Sequence, residues 1–333
     1  MRLLLAALCL VVAGILPAVV AREAVAVQEL GHRNAGGELG PRFEWPADER
    51  VADPARGYEV LAATARSAGV NLVRGSTALS TASRPEVAYF VYLGRARSAL
   101  FDRLDLVSGR WLTPEDMANG AAVVTTADVR DGHGGGGVEV VGVPRVWGDR
   151  YDLSIEPLSR AYRSLALTGT YTIDARAEVD ADRFLADIQR FLDDAGAIGP
   201  LAVAPAAEAV VGDRAAAGHR YTPPVLGAVF AALATAAAAR DGRRIGVMRL
   251  LGFPATRVWL LIAGRVLLGA ACVGAASLLA GMARTPGADP DLAARLAVPL
   301  AAAIGLGAAA TAGLAAVLVR RVRISDLVKG RVS

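Results

Sequence analysis

The chain has 333 residues, 54% of them hydrophobic and 20% charged, with a mean hydropathy of +0.40, a net charge of +4 and a pI near 9.4. That is too apolar for an ordinary soluble protein of this size and too charged for one embedded throughout in a membrane. Spanning helices joined to one water-soluble domain are expected instead. The basic residues lie beside apolar runs, so they report membrane orientation, and no nucleic-acid partner is expected.

In chain order, the first feature is the apolar run Leu3 to Val20, preceded by Arg2. It predicts a first transmembrane helix over residues 1–25. A cleaved signal peptide is the alternative, because Val19-Val20-Ala21 is an acceptable small-residue cleavage site. Cys9 lies in this run and Cys272 in a later one, which leaves no disulfide framework and no paired-cysteine metal site.

Residues 26–220 read as a large mixed α/β domain. Tyr58 to Ser67 is expected to be helical, Val70 to Val73 and Val87 to Leu93 extended, and Arg95 to Leu104 helical again. Ser108 to Asp116 reads as a turn entering a short helix, with Ala121 to Thr126 a strand after it. The run Gly134 to Gly137 lacks the Lys-Ser or Lys-Thr of a phosphate loop and reads as a loop tip, followed by an extended Val138 to Val146. Ala166 to Ile173 alternates, with Leu167, Gly169, Tyr171 and Ile173 on one face, as a half-buried strand does. Asp180 is then expected to cap a helix burying Phe184, Leu185, Ile188, Phe191 and Leu192. Gly196 ends that helix, and Leu201 to Val203 forms the next strand.

No catalytic constellation appears, and an enzyme is not expected. His32, His133 and His219 have no metal-ligand spacing. Glu115 and Asp116 follow Thr113-Pro114, a place where adjacent acids more often make a helix's first turn than an acid/base pair.

Three further apolar segments follow. Val225 to Ala239, extended back to Tyr221, gives a helix over 221–240. Val258 to Met282 gives one over 258–282, and Ala293 to Val319 one over 293–319, with a short external loop over 283–292. The fold class is therefore an α-helical membrane protein with four predicted transmembrane helices and a large mixed α/β extracytoplasmic domain. Arg240, Arg243, Arg244, Arg249 and Arg257 crowd the loop 241–257 and its edges. Arg320, Arg321, Arg323, Lys329 and Arg331 crowd the tail 320–333. Both are expected to be cytoplasmic, with residues 26–220 outside, as a multi-pass protein of the plasma membrane.

The loop carries the functional reading. Arg243 to Leu251 predicts a short helix whose apolar residues Ile245, Val247, Met248, Leu250 and Leu251 point to all sides. Gly252 supplies a left-handed cap, Pro254 stops continuation, and Thr256 caps the next helix. A helix apolar all round is buried against a partner or lies on the lipid surface. Within the spans, Gly305, Ala309 and Gly313 form a small-residue stripe at spacing four, as do Ala270 and Gly274, suiting close helix packing. Arg265 is the charge inside a span. It is expected near the cytoplasmic interface, either meeting an acid of another subunit or snorkelling to lipid phosphate.

The run Arg243-Arg244-Ile245-Gly246-Val247-Met248-Arg249-Leu250-Leu251-Gly252, followed by a polar turn and a long apolar helix, resembles the cytoplasmic loop of FtsX-like/MacB-type ABC permeases. Their usual form is Arg-Glu-Ile-Gly, five residues, then Gly-Ala. Ser108-Gly109-Arg110-Trp111-Leu112-Thr113-Pro114-Glu115-Asp116 is similar to a stretch of their outside domains, and the tail Val322 to Lys329 loosely resembles their terminal motif. Arg244 departs from the family, which often has Glu there, as does Arg265, where an acid is common.

The resemblance implies a permease without an ATP site, cofactor-free in this chain, with ATP bound by a separate ABC ATPase subunit. The loop residues Arg243, Arg244, Ile245, Gly246, Met248, Arg249, Leu251 and Gly252 would couple to that ATPase. The permease would work as a homodimer or heterodimer in membrane lipid. It would transmit mechanical motion to the outside domain for export or mechanotransmission, because its spans show no polar path. The alternatives are a membrane-anchored extracytoplasmic binding or sensing protein without an ATPase, and an FtsX-type cell-division regulator of peptidoglycan hydrolases.

Overall fold

The computed structural model describes residues 2–79, 84–127, 138–197, 199–207, 222–240, 244, 247–248 and 251–321. The chain forms two compact units, one from residues 1–26 and 214–333, the other from residues 27–213.

The second unit is built on a nine-stranded sheet. Its strands are β1 (Arg42–Trp45), β2 (Asn71–Leu79), β3 (Pro85–Leu93), β4 (Leu106–Gly109), β5 (Ala122–Thr125), β6 (Glu139–Pro144), β7 (Asp152–Pro157), β8 (Gly169–Asp174) and β9 (Ala202–Ala204). Their order across the sheet is β4-β6-β5-β7-β3-β2-β8-β1-β9. Pairing is antiparallel except for β3 with β7 and β5 with β6. The mixed α/β character expected of residues 26–220 is observed.

Both faces of the sheet are covered, which is why β3 is buried along nearly its whole length rather than alternating. One face presents Phe43, Trp45, Leu72, Phe90, Tyr92, Tyr171 and Ile173 to helices α2 (Pro54–Ala68) and α6 (Glu178–Asp194). The other presents Val73, Tyr89, Val91, Val124, Leu153 and Ile155 beneath α3 (Leu100–Arg103) and α4 (Pro114–Asn119). Helix α5 (Leu158–Ala161) follows β7.

Local chemistry sets the helix ends. Asp53 accepts a hydrogen bond from the Ala55 backbone N–H, Pro54 takes the first turn, and the chain leaves α2 through Gly69 at φ 67°. Helix α6 begins at Glu178 with Ala177 at its cap, so the expected cap Asp180 lies inside the first turn instead. There its carboxylate still faces the positive end of the helix dipole. The strand–helix–strand unit β8-α6-β9 is present, but β1 is inserted between the two strands, antiparallel to both.

The expected helix Arg95 to Leu104 shrinks to α3, because a buried polar cluster captures its first half. Asn71 and Asp174 sit opposite each other on β2 and β8. Asp174 Oδ2 accepts from Asn71 Nδ2 (2.9 Å), Ser98 Oγ (2.8 Å) and the Ala99 N–H (2.9 Å), and Oδ1 accepts from Arg95 Nη2 (3.0 Å). Asn71 Oδ1 accepts from the Arg95 N–H at 2.9 Å. Backbone groups that a helix would use are thus held by side chains.

Glu115 and Asp116 occupy the first turn of α4, as expected of a structural pair. Thr113 and Asp116 form a capping box, and Arg110 donates to both Asp116 oxygens at 2.6 and 3.1 Å. The Arg110 guanidinium and the Thr113 donors hold the Asp116 carboxyl down at about 2. A carboxyl whose folded pKa lies below its unfolded value adds stability above about pH 4 and loses it as pH falls toward 2. Thermal melts should therefore show Asp116→Asn destabilised at pH 7, with its gap to the parent narrowing below about pH 4 and closing only near pH 2. A gap that stays constant with pH would show that the charge is not what stabilises this turn.

The first unit is helical. Helix α1 (Arg2–Asn34) supplies residues 2–26 to it. Helix α7 (Thr222–Ala239) follows, then α8 (Ala255–Trp259), a π turn (Leu260–Gly264), α9 (Arg265–Arg284) and α10 (Pro290–Arg321). Cys9, Ala13, Phe230, Ala234, Ala263, Leu267 and Ala270 form its buried core. Among the described residues three helices are long and apolar enough to cross a membrane: Leu4–Asn34, Thr256–Arg284 and Pro290–Val317. The fourth expected span is the apolar but shorter α7, so three spans are supported where four were expected.

Helix α1 is longer than its apolar run. Its last residues belong to the α/β unit, where His32 Nδ1 meets the Tyr151 hydroxyl at 2.7 Å. Gln28 donates to the Arg145 carbonyl at 3.2 Å and accepts from the Trp147 N–H at 2.8 Å.

Candidate functional site

The loop between α7 and α8 is described in part. Arg244, Val247 and Met248 are helical. Arg243, Ile245, Gly246, Arg249 and Leu250 lie outside the described residues, as do Gly134 to Gly137, His133, His219 and the tail beyond Arg321.

The helix ends as its sequence predicts. The Leu251 N–H donates to the Val247 carbonyl at 3.1 Å, and the Phe253 N–H reaches back to the Met248 carbonyl at 3.1 Å. Between them Gly252 takes φ 80°. A bond spanning five residues across a left-handed glycine is the Schellman closure, and it satisfies a carbonyl that the helix end leaves open. Pro254, not Thr256, occupies the cap of α8, accepting from the Arg257 and Val258 N–H groups. The fixed φ of proline suits the extended cap, which moves Thr256 into the helix itself.

The apolar side chains of this corner are uncovered. Val247 is 57% and Leu251 70% exposed, and Phe253 is exposed under the Arg257 guanidinium at 5.8 Å, whereas Met248 is half-buried. The coupling residues that the resemblance implied include Met248 and Leu251 but not Val247, which lies one helical turn before Leu251, or Phe253, which follows the left-handed glycine.

The small residues of the bundle divide into two groups. A side chain at Gly274 would meet the Leu300 methyls at 2.7 and 2.9 Å, so α9 and α10 approach closely there. A side chain at Gly307 would meet Phe230 at 2.7 Å, making Gly307 the α7–α10 contact that the expected stripe overlooked. Among the described residues a Cβ at Gly305 or Gly313 would meet nothing within 4 Å, and Ala309 is exposed, so this stripe faces away from the described helices. Gly274→Leu should destabilise the bundle by about 2 kcal/mol through overpacking, whereas Gly305→Leu should leave the monomer's stability unchanged. Thermal unfolding of both variants in detergent checks this; equal losses would contradict the division.

Arg265 is exposed and makes no ion pair or hydrogen bond among the described residues. Among those residues no group of three His, Cys, Asp or Glu side chains is placed to hold a metal.

No protein-family profile matches the chain, and no curated protein matches it. Among solved structures, the extracellular domain of the noncanonic ABC-type transporter YknZ from Gram-positive bacteria is similar at 17% identity, with a TM-score of 0.32. The match covers 50% of this chain and 97% of that one. A likeness this distant fixes neither family nor fold.

Proposed function

We propose that this chain is the membrane subunit of an ABC transporter of the FtsX/MacB type. It passes the ATP-driven motion of a separate ATPase to its α/β domain, for export or mechanotransmission. The observation that carries the reading is the uncovered apolar corner Val247, Leu251 and Phe253, which closes on Gly252 directly ahead of a helix long enough to cross a membrane. Apolar side chains at this exposure are stabilised by a partner, and the sequence of the segment is the one that resembles the family's ATPase-binding loop.

In this reading the ATPase holds the ATP, this chain needs no cofactor of its own, and Arg243, Arg244, Ile245, Gly246, Met248, Arg249, Leu251 and Gly252 are the coupling residues. Helix α1 is retained rather than cleaved. Its Cys9, Ala13 and Leu16 are buried, and Ser277 Oγ donates to the Gly14 carbonyl at 2.6 Å. With α7 as a fourth span, both termini and the corner lie inside and the α/β domain outside. The outward stripe Gly305, Ala309, Gly313 serves a second permease copy.

Co-purification of the full chain from its own membranes tests the reading. An ABC ATPase subunit should accompany it, and an impermeant thiol reagent on intact cells should label Glu178→Cys but not Arg244→Cys. Recovery without an ATPase, with Arg244→Cys labelled from outside, would favour an anchored sensor instead.

A further inference from the structure

The turn Leu260–Gly264 that joins α8 to α9 is a π turn, so this stretch holds one residue more than an α-helix would. No proline lies in it. Its origin shows in the register of buried residues. Val258 and Ile262 are buried and four apart. Continued at α-helical spacing, the buried face would next take Arg265, three residues beyond Ile262 and seven beyond Val258. Within the turn Ala263 is buried as well, and beyond it the buried face takes Leu267, Ala270 and Gly274, while Arg265 is exposed. The additional residue turns the guanidinium off the packed face.

Two neighbouring features bear on whether that register can change. Immediately before the turn, Trp259 Nε1 donates to Thr311 Oγ1 on α10 at 3.3 Å. Thr311 is buried, and its hydroxyl reaches back to the Gly307 and Ala308 carbonyls at 2.9 and 3.0 Å, so Trp259 and α10 share one polar contact in an apolar bundle. Beside it lies a cavity of about 30 Å³ bordered by Ala234, Ile262, Ala263, Leu267 and Thr311. Side chains of the turn itself therefore border space they can move into.

We propose that Leu260–Gly264 is a movable register joint, latched by the Trp259–Thr311 bond. Shifting the wide turn one helical turn toward the C-terminus rotates the residues it passes by about 100° and swings Arg265 from the outer face toward the bundle. The joint gives the span two discrete registers, as a two-state element requires. It goes beyond the coupling reading and needs no ATPase to exist.

Hydrogen exchange of the full chain in lipid nanodiscs, read by mass spectrometry, tests it. Amides of the turn should exchange at least about tenfold faster than those of α9 beyond Leu267, because π bonds open more readily. Thr311→Val removes the latch and should speed the turn by about a further fivefold while leaving α9 unchanged. Deleting Leu261, whose side chain is largely outside the core, should restore an α-helix with both flanks in place and slow the turn to the rate of α9. The proposal is overturned if the wild-type turn exchanges as slowly as α9, or if Thr311→Val leaves it unchanged. It is also overturned if the deletion variant keeps the fast exchange. Should the deletion variant not insert, the Thr311→Val comparison decides alone.

Discussion

Asp174→Ala is expected to destabilise the α/β unit by about 3 kcal/mol, the largest loss from any single side chain outside its apolar core. The carboxylate is buried and accepts from Asn71, Ser98, the Ala99 N–H and Arg95. Removing it strands the buried donors Asn71 Nδ2 and Ser98 Oγ, and takes one acceptor from the part-buried Ala99 N–H and Arg95; an unmade buried hydrogen bond is costlier than a made one is stabilising. Arg95 is partly exposed, which keeps the expected loss toward the lower end for a broken buried pair. The contrast is Arg97→Ala. Its partner Asp102 and Arg97 itself are both mostly exposed, so that pair contributes within about 0.5 kcal/mol. Urea unfolding of the full chain, followed through the buried Trp45, should separate the two variants clearly. A shift for Asp174→Ala as small as that for Arg97→Ala would show that the cluster does not hold the sheet to its 94–99 loop.

The same cluster explains what the sequence conceals. Arg95 to Leu104 has helical composition, but the residues that override it, Asn71 and Asp174, are far away along the chain and meet only when β2 pairs with β8. Strand β1 is four residues, too short for its alternation to stand out, and its buried Phe43 acquires meaning only beside Tyr171, its Trp45 only beside Phe191. Strand β7 alternates, but Asp152 and Ser154 on its polar side are buried as well, so a reading that assigns polar residues to solvent passes it by. Local signals fared better. Thr113-Pro114 and Gly196 each act within a few residues of themselves, and the helix ends they predict lie within one turn of those observed. The apolar runs were legible because length in a membrane is a local quantity. What was not legible there was direction. Periodicity places Gly305, Ala309 and Gly313 on one face, but only the packed bundle shows that Gly307 and Gly274 take the internal contacts.

Gly252→Val is expected to uncouple the ATPase. At φ 80° a β-branched residue is strained whatever space surrounds it, and a Cβ here would meet nothing within 4 Å. Among the described residues nothing crowds that position, so the expected effect comes from the backbone turn itself. Losing the turn releases the Phe253-to-Met248 closure and misdirects Leu251 and Phe253 together. Leu251→Ala and Met248→Ala should each weaken ATPase binding by about 2 kcal/mol, roughly thirtyfold, as truncation of a central anchor does; Ile245→Ala is expected to do the same. The charged residues are expected to behave differently. Arg244→Ala and Arg249→Ala should slow association and lose their effect at high salt, because charges at a rim act through screened attraction. Pull-down of the ATPase and its stimulated hydrolysis in membranes read both quantities. If Gly252→Val, Leu251→Ala and Met248→Ala insert normally and leave binding and hydrolysis unchanged, the corner is not the coupling element. The exposed Val247, Leu251 and Phe253 would then be an interfacial anchor resting on lipid, and the anchored-sensor reading would account for the chain better.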